Sequence, residues 1–255
     1  MDCFGDRAVS EIVELIGDAA AARACSKKAA PSGSPDGKWK LNLFGLHQSL
    51  APQTPQLGSA GSGGKLLTTL GGVQVLFNGY PAPVDYTSPG QINAIVPFEA
   101  ALFRTVNVQA INQGNASVAF SLPVVTSLPG MFTAKGSGSG QAAVLNQNNS
   151  VNSASNREQV GNILQMFATG DGSRTPPEID GRLPSTVLTK PELACSVTIG
   201  GLDATVTYCG AAPGFAGLFQ INAKIPVGVA PGNSVPVQVT VGTATSQSNV
   251  TVAVQ

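Results

Sequence analysis

The same seven-residue segment occurs twice in this chain, as QINAIVP at 91–97 and as QINAKIP at 220–226, with five identical positions. The match extends upstream, where NGYPAPVDY at 78–86 aligns with GGLDATVTY at 200–208. LNLFG, which starts at residue 41, resembles LQMFA, which starts at residue 164, in the same order along the chain. A repeat of this length indicates one folding unit present twice. The 255 residues suffice for two domains of about 100–130 residues each.

Beyond residue 70, apolar and polar residues alternate in short segments, which is the pattern of a strand with one face in a core. Turns rich in Gly, Pro and Asn separate the segments. The segments are GGVQVLFNG at 71–79, TVNVQA at 105–110, SVAFSLPV at 117–124, CSVTIGG at 195–201, ATVTYC at 204–209, VPVQVTVG at 235–242 and NVTVAV at 249–254. Short strands at this spacing predict an all-β fold made of sandwiches.

The repeat divides the chain into a first β-sandwich at 38–128 and a second at 129–255, preceded by an atypical extension at 1–37. This extension contains the one helical pattern, and it predicts a short helix over 6–24. The apolar residues at the i, i+3, i+4, i+7 spacing of that helix are Val9, Ile12, Val13 and Ile16.

Charge and hydropathy exclude several kinds of partner. Fourteen basic and fourteen acidic side chains give a net charge of zero, whereas nucleic-acid surfaces and polybasic membrane contacts need clustered positive charge. No apolar run approaches the roughly 20 residues of a membrane-spanning helix. We therefore expect no nucleic-acid partner and no membrane insertion.

The start of the chain does not have the pattern of a secretory signal. Glu11, Glu14 and Asp18 lie where a signal peptide needs an uncharged apolar core. The expectation is that the chain is a piece of a longer exported protein, located outside the cell or at its surface.

Two long stretches resemble a known family. The run from TTLGGVQVLFNGYPAPVDY to QINAIVP, followed by SLPGMFTAKGSGSGQAAVLNQNNSVNSASN, is similar to the Solibacter-type C-terminal domain of exported acidobacterial proteins. The stretch from VTIGGLDATVTY through QINAKIP to VPVQVTVG is similar to it as well. This resemblance implies tandem immunoglobulin-like β-sandwiches of the IPT/TIG kind at the end of secreted or surface proteins. The expected fold is thus all-β, with two tandem immunoglobulin-like sandwiches and a short N-terminal helix.

The four cysteines fall into two pairs of different character. Cys195 and Cys209 flank the hairpin SVTIGGLDATVTY, and their midpoint lies in its GGLD turn. This spacing places them opposite each other on adjacent strands, within reach of a disulfide, which is typical of exported proteins. Two buried thiols are the alternative. The pairing of Cys3 and Cys25 stays open.

A hydrolase would have to use His47, the single histidine, because a serine or cysteine nucleophile needs a positioned proton acceptor. No serine lies in the GxSxG pattern of an esterase elbow. His47 is therefore the one candidate catalytic residue, in the alternative that the chain is an esterase or lactonase. A lone loop histidine is more often a surface residue.

The loop at 170–182 gathers three carboxylates, Asp171, Glu178 and Asp180. Carboxylate oxygens are the ligands that calcium prefers, but the spacing is not that of an EF-hand loop. The two Asp-Gly pairs in this loop are equally typical of tight turns. Calcium is thus the alternative here, and no other cofactor is expected.

The repeated QINA segment would place its isoleucines on one face and its amides on the other. The plain interpretation is that Gln and Asn bind the backbone of nearby loops. Tyr86 and Tyr208 occupy equivalent positions and suit a structural role, although tyrosines and amides are also the side chains that contact glycans.

From these observations we expect a non-catalytic extracellular module for adhesion, surface presentation or the binding of a surface glycan or protein. The alternatives are a small hydrolase that uses His47 or a metal in the acidic loop, and a purely structural spacer. Sandwiches serve all three roles, so the fold does not separate them.

Overall fold

The structure is a computed structural model that describes residues 14–16, 40–44, 52, 54–89, 91–185 and 188–255. The predicted all-β class is confirmed. Strands of the first half are β1 (Glu14–Ile16), β2 (Lys40–Phe44), β3 (Gln56–Leu57), β4 (Val73–Phe77), β5 (Tyr80–Pro81), β6 (Val84–Ser88), β7 (Gln91–Ile95), β8 (Thr105–Asn112), β9 (Asn115–Ala116) and β10 (Phe120–Pro123). A short 3-10 helix at Phe98–Leu102 lies between β7 and β8.

The second half continues the same strand-rich pattern. Its strands are β11 (Gly130–Met131), β12 (Gly140–Gln141), β13 (Val144–Leu145), β14 (Ile163–Thr169), β15 (Arg174–Thr175), β16 (Lys190–Pro191), β17 (Cys195–Ile199), β18 (Leu202–Ala211), β19 (Phe219–Lys224), β20 (Gly232–Val241), β21 (Ala244–Thr245) and β22 (Val250–Val254).

Sandwich one, the name used here for β2–β10, packs two sheets against each other. One sheet has the order β1-β2-β7-β6-β3 and the other the order β10-β8-β4-β5. Their facing side chains form one apolar cluster, because alternate residues of each strand point inward. The fully buried side chains Val73, Val75, Phe77 and Ile92 lie in this cluster.

Sandwich two, formed by β11–β14 and β17–β22, has the same layers. β18 joins them, because it pairs with β17 through Leu202–Ala204 and with β19 through the rest of its length. A second apolar cluster fills the space between the layers, and it is built from residues between Met131 and Val254. Ile221, Ala223, Val237 and Val239 are fully buried there.

The two copies of the QINA segment pair with their neighbouring strands in the same register. In sandwich one, Leu41 lies opposite Ala94 and Leu43 opposite Ile92. Sandwich two pairs LQMFA with QINA in the same register, with Leu164 opposite Ala223 and Met166 opposite Ile221. The segment QINA is thus a central strand in each sandwich.

The hairpins and bulges also repeat. Asn78 and Gly79 form the two-residue turn after β4, and Gly200 and Gly201 form the turn after β17. All four have positive φ, as a two-residue hairpin of this kind requires. A bulge between Val84 and Tyr86 corresponds to a bulge between Val206 and Tyr208.

The predicted N-terminal helix is wrong where it can be checked. Residues 14–16, inside the expected helix at 6–24, form β1 and pair in parallel with Asn42–Phe44. The pairing with a neighbouring strand prevails over the local helical period, since a short helix has little stability of its own. The rest of the expected helix lies outside the described residues.

The disulfide between Cys195 and Cys209 is confirmed, with the two Cα atoms 6.6 Å apart. The geometry predicted for it is wrong, however. The hairpin turns at Gly200 and Gly201, so Cys209 is not opposite Cys195. Cys195 pairs with Val241 in one layer, Cys209 pairs with Ile221 in the other, and the disulfide therefore connects the two layers across the core.

Candidate functional site

Several residues singled out in the sequence fall outside the described residues. His47, the candidate catalytic base, is one of them, and Cys3 and Cys25 are the others. Within the described part of the chain there is no histidine, and no set of three or more His, Cys, Asp or Glu side chains is placed to hold a metal ion. No helix in that part is long and apolar enough to cross a membrane.

The acidic loop is organised around a buried arginine that the sequence analysis did not consider. Arg174 binds Asp171 through two hydrogen bonds, with Nε 2.5 Å from Oδ2 and Nη2 3.1 Å from Oδ1. Its Nη1 donates to Glu178 at 3.3 Å, and its Nη2 also donates to the carbonyl of Leu218 at 3.2 Å. This is a closed ion-pair network in which the carboxylates neutralise a buried guanidinium.

Electrostatics agree with that description. Burial alone would lower the pKa of Arg174, but the adjacent Asp171 and Glu178 outweigh it and raise the pKa above its usual value. The third carboxylate has a different partner, since Asp180 Oδ1 accepts the N–H of Phe98 at 2.9 Å. The structure therefore brings Asp171 and Glu178 together on Arg174 and directs Asp180 elsewhere.

An uncharged polar row crosses three adjacent strands of sandwich two. Gln165 on β14 lies opposite Asn222 on β19, which lies opposite Tyr208 on β18. Gln220 is two residues before Asn222 and therefore on the same face. We call these four side chains, Gln165, Tyr208, Gln220 and Asn222, the amide face. All four are half-buried.

Hydrogen bonds between side chains fix the positions of the amides in the amide face. Gln220 Nε2 donates to Asn222 Oδ1 at 2.8 Å. Gln165 Nε2 donates to Asn149 Oδ1 at 2.7 Å, on the exposed loop that follows β13. The expectation that the QINA amides would bind loop backbone is therefore wrong for Gln220 and Asn222, which bind each other.

Tyr208 closes one end of the amide face. Its hydroxyl donates to the carbonyl of Ala211 at 2.6 Å. Gly210 makes this possible, because a Cβ there would lie 2.9 Å from the Tyr208 hydroxyl and 2.6 Å from the carbonyl oxygen of Thr189. Partial burial is the main reason that the pKa of Tyr208 is raised, with the Arg174 network contributing in both directions. Tyr208 is thus a fixed, neutral ring at physiological pH.

Sandwich one has the counterpart of this row, but its asparagine is buried. Gln91 Nε2 donates to Asn93 Oδ1 at 2.7 Å, which repeats the bond between Gln220 and Asn222. Asn93 is only 1% exposed, and its Nδ2 has no hydrogen-bond partner among the described residues. The asparagine of the row is therefore buried in sandwich one and half-buried in sandwich two, whereas Gln91 and Gln220 are both half-buried.

Sequence reasoning found three members of the amide face, Gln220, Asn222 and Tyr208, and missed Gln165. The alignment of LNLFG with LQMFA contained the necessary signal, because it fixes Gln165 beside Asn222 once QINA is taken as the neighbouring strand. Arg174 was missed because no local pattern marks a buried cation; its partner Leu218 is 44 residues away.

Comparison with known proteins adds little to this geometry. No known protein family matches the sequence, and no curated protein matches it. Among solved structures the chain is similar to SGBP-B of the mixed-linkage glucan utilization locus of Bacteroides ovatus, in complex with a mixed-linkage heptasaccharide (14% identity, TM-score 0.32). That match covers 82% of this chain and 45% of the other.

Two other solved structures give comparable matches. For the I9–I11 tandem of titin the identity is 10%, the TM-score 0.21, and the coverage 80% of this chain and 62% of that one. For the D00–D0 domains of intimin the identity is 14% and the TM-score 0.24, and the match covers 88% of this chain and 95% of that one. All three TM-scores are below 0.5, so none of these likenesses carries an argument about function. The chain spans less than two thirds of SGBP-B and of the titin tandem.

The arrangement suits recognition of a ligand. Each amide offers two N–H donors and a carbonyl with two lone pairs, and their mutual bonds use only part of this capacity. Tyrosine adds a flat apolar surface with a polar edge. Because the row lies on a sheet, the four side chains keep fixed spacings, and such preorganisation favours binding.

Proposed function

We propose that this chain is a non-catalytic module of an exported protein and that its second sandwich binds a neutral carbohydrate on the amide face. One observation carries the proposal: an accessible row of three amides and a tyrosine, without a charged member, held in fixed positions across three strands. Ligands rich in hydroxyl groups complement such a row, because hydroxyls both donate and accept hydrogen bonds.

The four side chains of the row are uncharged, which favours a neutral ligand. Lys224, two residues after Asn222, is exposed on the same face of β19 at the end of the row. The charges of Arg174, Asp171 and Glu178 are paired with one another. A charged polymer or an acidic peptide would find no uncompensated partner among the four side chains of the row.

Export is part of the proposal. The disulfide between Cys195 and Cys209 is of the kind that forms and persists in oxidising compartments. The similarity to the Solibacter-type C-terminal domains is in keeping with it, and we take membership of that family and the domain limits 38–128 and 129–255 as parts of the same proposal. In this role the module would attach its parent protein to a surface glycan.

Affinity electrophoresis tests the proposal. The purified chain is run through gels that contain neutral glucans, mannans or xylans, or the charged polymers alginate and polygalacturonate, and any hit is quantified by calorimetry. We expect retardation by a neutral polymer, and we expect Gln220→Ala and Asn222→Ala to weaken binding by about tenfold each, as for one lost hydrogen bond.

The repeat supplies the matched control. Gln91→Ala removes the equivalent bond in sandwich one, where Asn93 is buried, and should leave binding unchanged. The proposal is overturned if no neutral polymer retards the chain, if only charged polymers do, or if Gln220→Ala binds as tightly as the unmodified chain.

A further inference from the structure

One segment of sandwich two reaches across to sandwich one. We call residues 176–185, between β15 and β16, the strap. The Leu66 N–H donates to the carbonyl of Gly181 at 2.9 Å, and the Leu183 N–H donates to the carbonyl of Gly64 at 3.0 Å. These two bonds form an antiparallel bridge between Lys65 and Arg182. The strap therefore adds a short piece of strand to a loop of the other sandwich.

Apolar packing accompanies the bridge. Leu66 and Ile95 of sandwich one cluster with Ala216 of sandwich two and with Leu183 of the strap. Gly181 lies against Pro83, and a Cβ at Gly181 would approach the Pro83 Cβ to 2.8 Å. Its φ of +68° is a further reason for glycine at this position. The contact is close because one partner has no side chain.

A carboxylate lies at the same junction. Asp180 Oδ1 accepts the N–H of Phe98, at the first residue of the 3-10 helix of sandwich one. Glu99 of that helix and Lys65 of the bridged loop face the same carboxyl group. On the strap itself, Glu178 is turned to Arg174, and Arg182 is exposed. The Asp180 carboxylate thus meets one carboxylate and one ammonium group from the other sandwich.

We propose that the strap is an acid-tightened latch, which fixes the orientation of the two sandwiches more firmly at pH 5 than at pH 8. The bridge, the apolar cluster and the Asp180 bond to Phe98 hold the latch. The repulsion between Asp180 and Glu99 weakens it whenever both carboxylates are charged.

The direction follows from proton linkage. Burial, and after it the neighbouring Glu99, raise the pKa of Asp180 from 3.8 to about 6, although the Phe98 N–H and Lys65 act in the opposite sense. When the strap separates, Asp180 is exposed and its pKa returns toward the ordinary value. The closed latch then holds more protons than the open one between these two values, so acidification favours the closed state and a rise through pH 6 weakens it.

Hydrogen exchange on the full chain tests the latch. The amides of Leu66 and Leu183 are followed at pH 5 and pH 8 by mass spectrometry with fragmentation, after correction for the intrinsic pH dependence of exchange. We expect both amides to be roughly tenfold better protected at pH 5, while the amides of β19 remain equally protected at both values.

Two variants separate the parts of the proposal. Asp180→Asn keeps an oxygen acceptor for Phe98 and removes the charge, so the two amides should be as protected at pH 8 as at pH 5. Gly181→Ala should expose both amides at either pH, because the added Cβ meets Pro83. Asp203→Asn, an exposed carboxylate on the β17–β18 hairpin, is the control and should behave as the unmodified chain.

Three results would overturn the latch. They are equal protection of the unmodified chain at pH 5 and pH 8, a pH dependence that persists in Asp180→Asn, and full protection of Leu66 in Gly181→Ala. None of them depends on carbohydrate binding, so the latch and the proposed function fail or survive separately.

Discussion

The two sandwiches share their register, hairpin turns, bulges and amide pair, and three of the equivalent positions at which their residues differ distinguish how they are braced. Val73 and Thr87 in sandwich one correspond to Cys195 and Cys209, and Ser88 corresponds to Gly210. In sandwich one the asparagine of the amide row, Asn93, is buried, whereas its counterpart in sandwich two, Asn222, is half-buried. The comparison teaches that the repeat preserves the backbone scaffold, while a few side chains decide how each copy is braced and what it exposes.

The largest expected effect concerns the disulfide, which only sandwich two has. Replacing Cys195 and Cys209 by serine should lower the free energy of unfolding by about 3 kcal/mol, because the crosslink restricts the unfolded chain over a loop of 14 residues. Urea denaturation followed by circular dichroism, with and without reducing agent, measures this loss. A double variant as stable as the oxidised chain would contradict the prediction.

The same crosslink can be moved to the other copy. Val73→Cys with Thr87→Cys should form a disulfide in sandwich one, since the two positions have the same strand partners as Cys195 and Cys209. Thr87 is a favourable site, because its buried hydroxyl has no hydrogen-bond partner among the described residues. Thiol titration of the denatured protein shows whether the new disulfide has formed. Two more free thiols than in the unmodified chain would mean that positions 73 and 87 do not have the geometry of Cys195 and Cys209.

Exchanging the residues at the end of the amide row should have an intermediate effect. Gly210→Ser introduces the residue that sandwich one has at this position, and its Cβ would lie against Thr189 and the Tyr208 hydroxyl. We expect the free energy of unfolding to fall by about 1–3 kcal/mol. Differential scanning calorimetry measures the loss, and a shift of the Tyr208 ring resonances should accompany it. Ser88→Gly is the reciprocal control and should cost less than about 1 kcal/mol.

The smallest expected effect concerns two serine hydroxyls, one in each sandwich, that both accept a hydrogen bond from a backbone N–H. Ser246 Oγ accepts the N–H of Val239, and Ser117 Oγ accepts the N–H of Ala110, both at 3.0 Å. Ser246→Ala should lower the free energy of unfolding by about 1–2 kcal/mol, and Ser117→Ala by roughly half as much. Ser246 is buried, so its removal leaves the N–H of Val239 without a hydrogen-bond partner. Chemical denaturation of each variant measures the two losses in the free energy of unfolding. Equal losses would contradict the prediction that the buried hydroxyl contributes more than the half-buried one.

Much of the scaffold was predictable from local patterns. The alternation in VQVLF and VPVQVTV identified β4 and β20, because one buried face imposes a period of two. The paired positions of LNLFG, LQMFA and QINA were readable from the repeat itself. The helix expected over 6–24 was wrong at 14–16, because a period of 3.6 over a few residues is weak evidence against a neighbouring strand that offers hydrogen bonds.

The candidate site was only partly predictable. Gln220, Asn222 and Tyr208 stood out through the repeat, but their accessibility did not, since Asn93 and Asn222 occupy equivalent positions and differ in burial. The three carboxylates of the acidic loop were visible as a cluster. Their partners were not. Arg174 lies in the same loop, three residues after Asp171, but no local pattern marks it as buried, and the contact between Asp180 and Phe98 spans 82 residues.

The sequence by itself determined the strands, the turn positions, the twofold repeat and the cysteine pair, because these depend on side-chain periodicity, on glycine and asparagine conformations and on local spacing. Tertiary structure alone decided which asparagine of the two amide rows is buried, how β18 carries Cys209 into the opposite layer and where the strap contacts sandwich one. The physical reason is that burial and long-range pairing are settled by the whole chain at once, through the total apolar area removed from water and the hydrogen bonds that must be satisfied there.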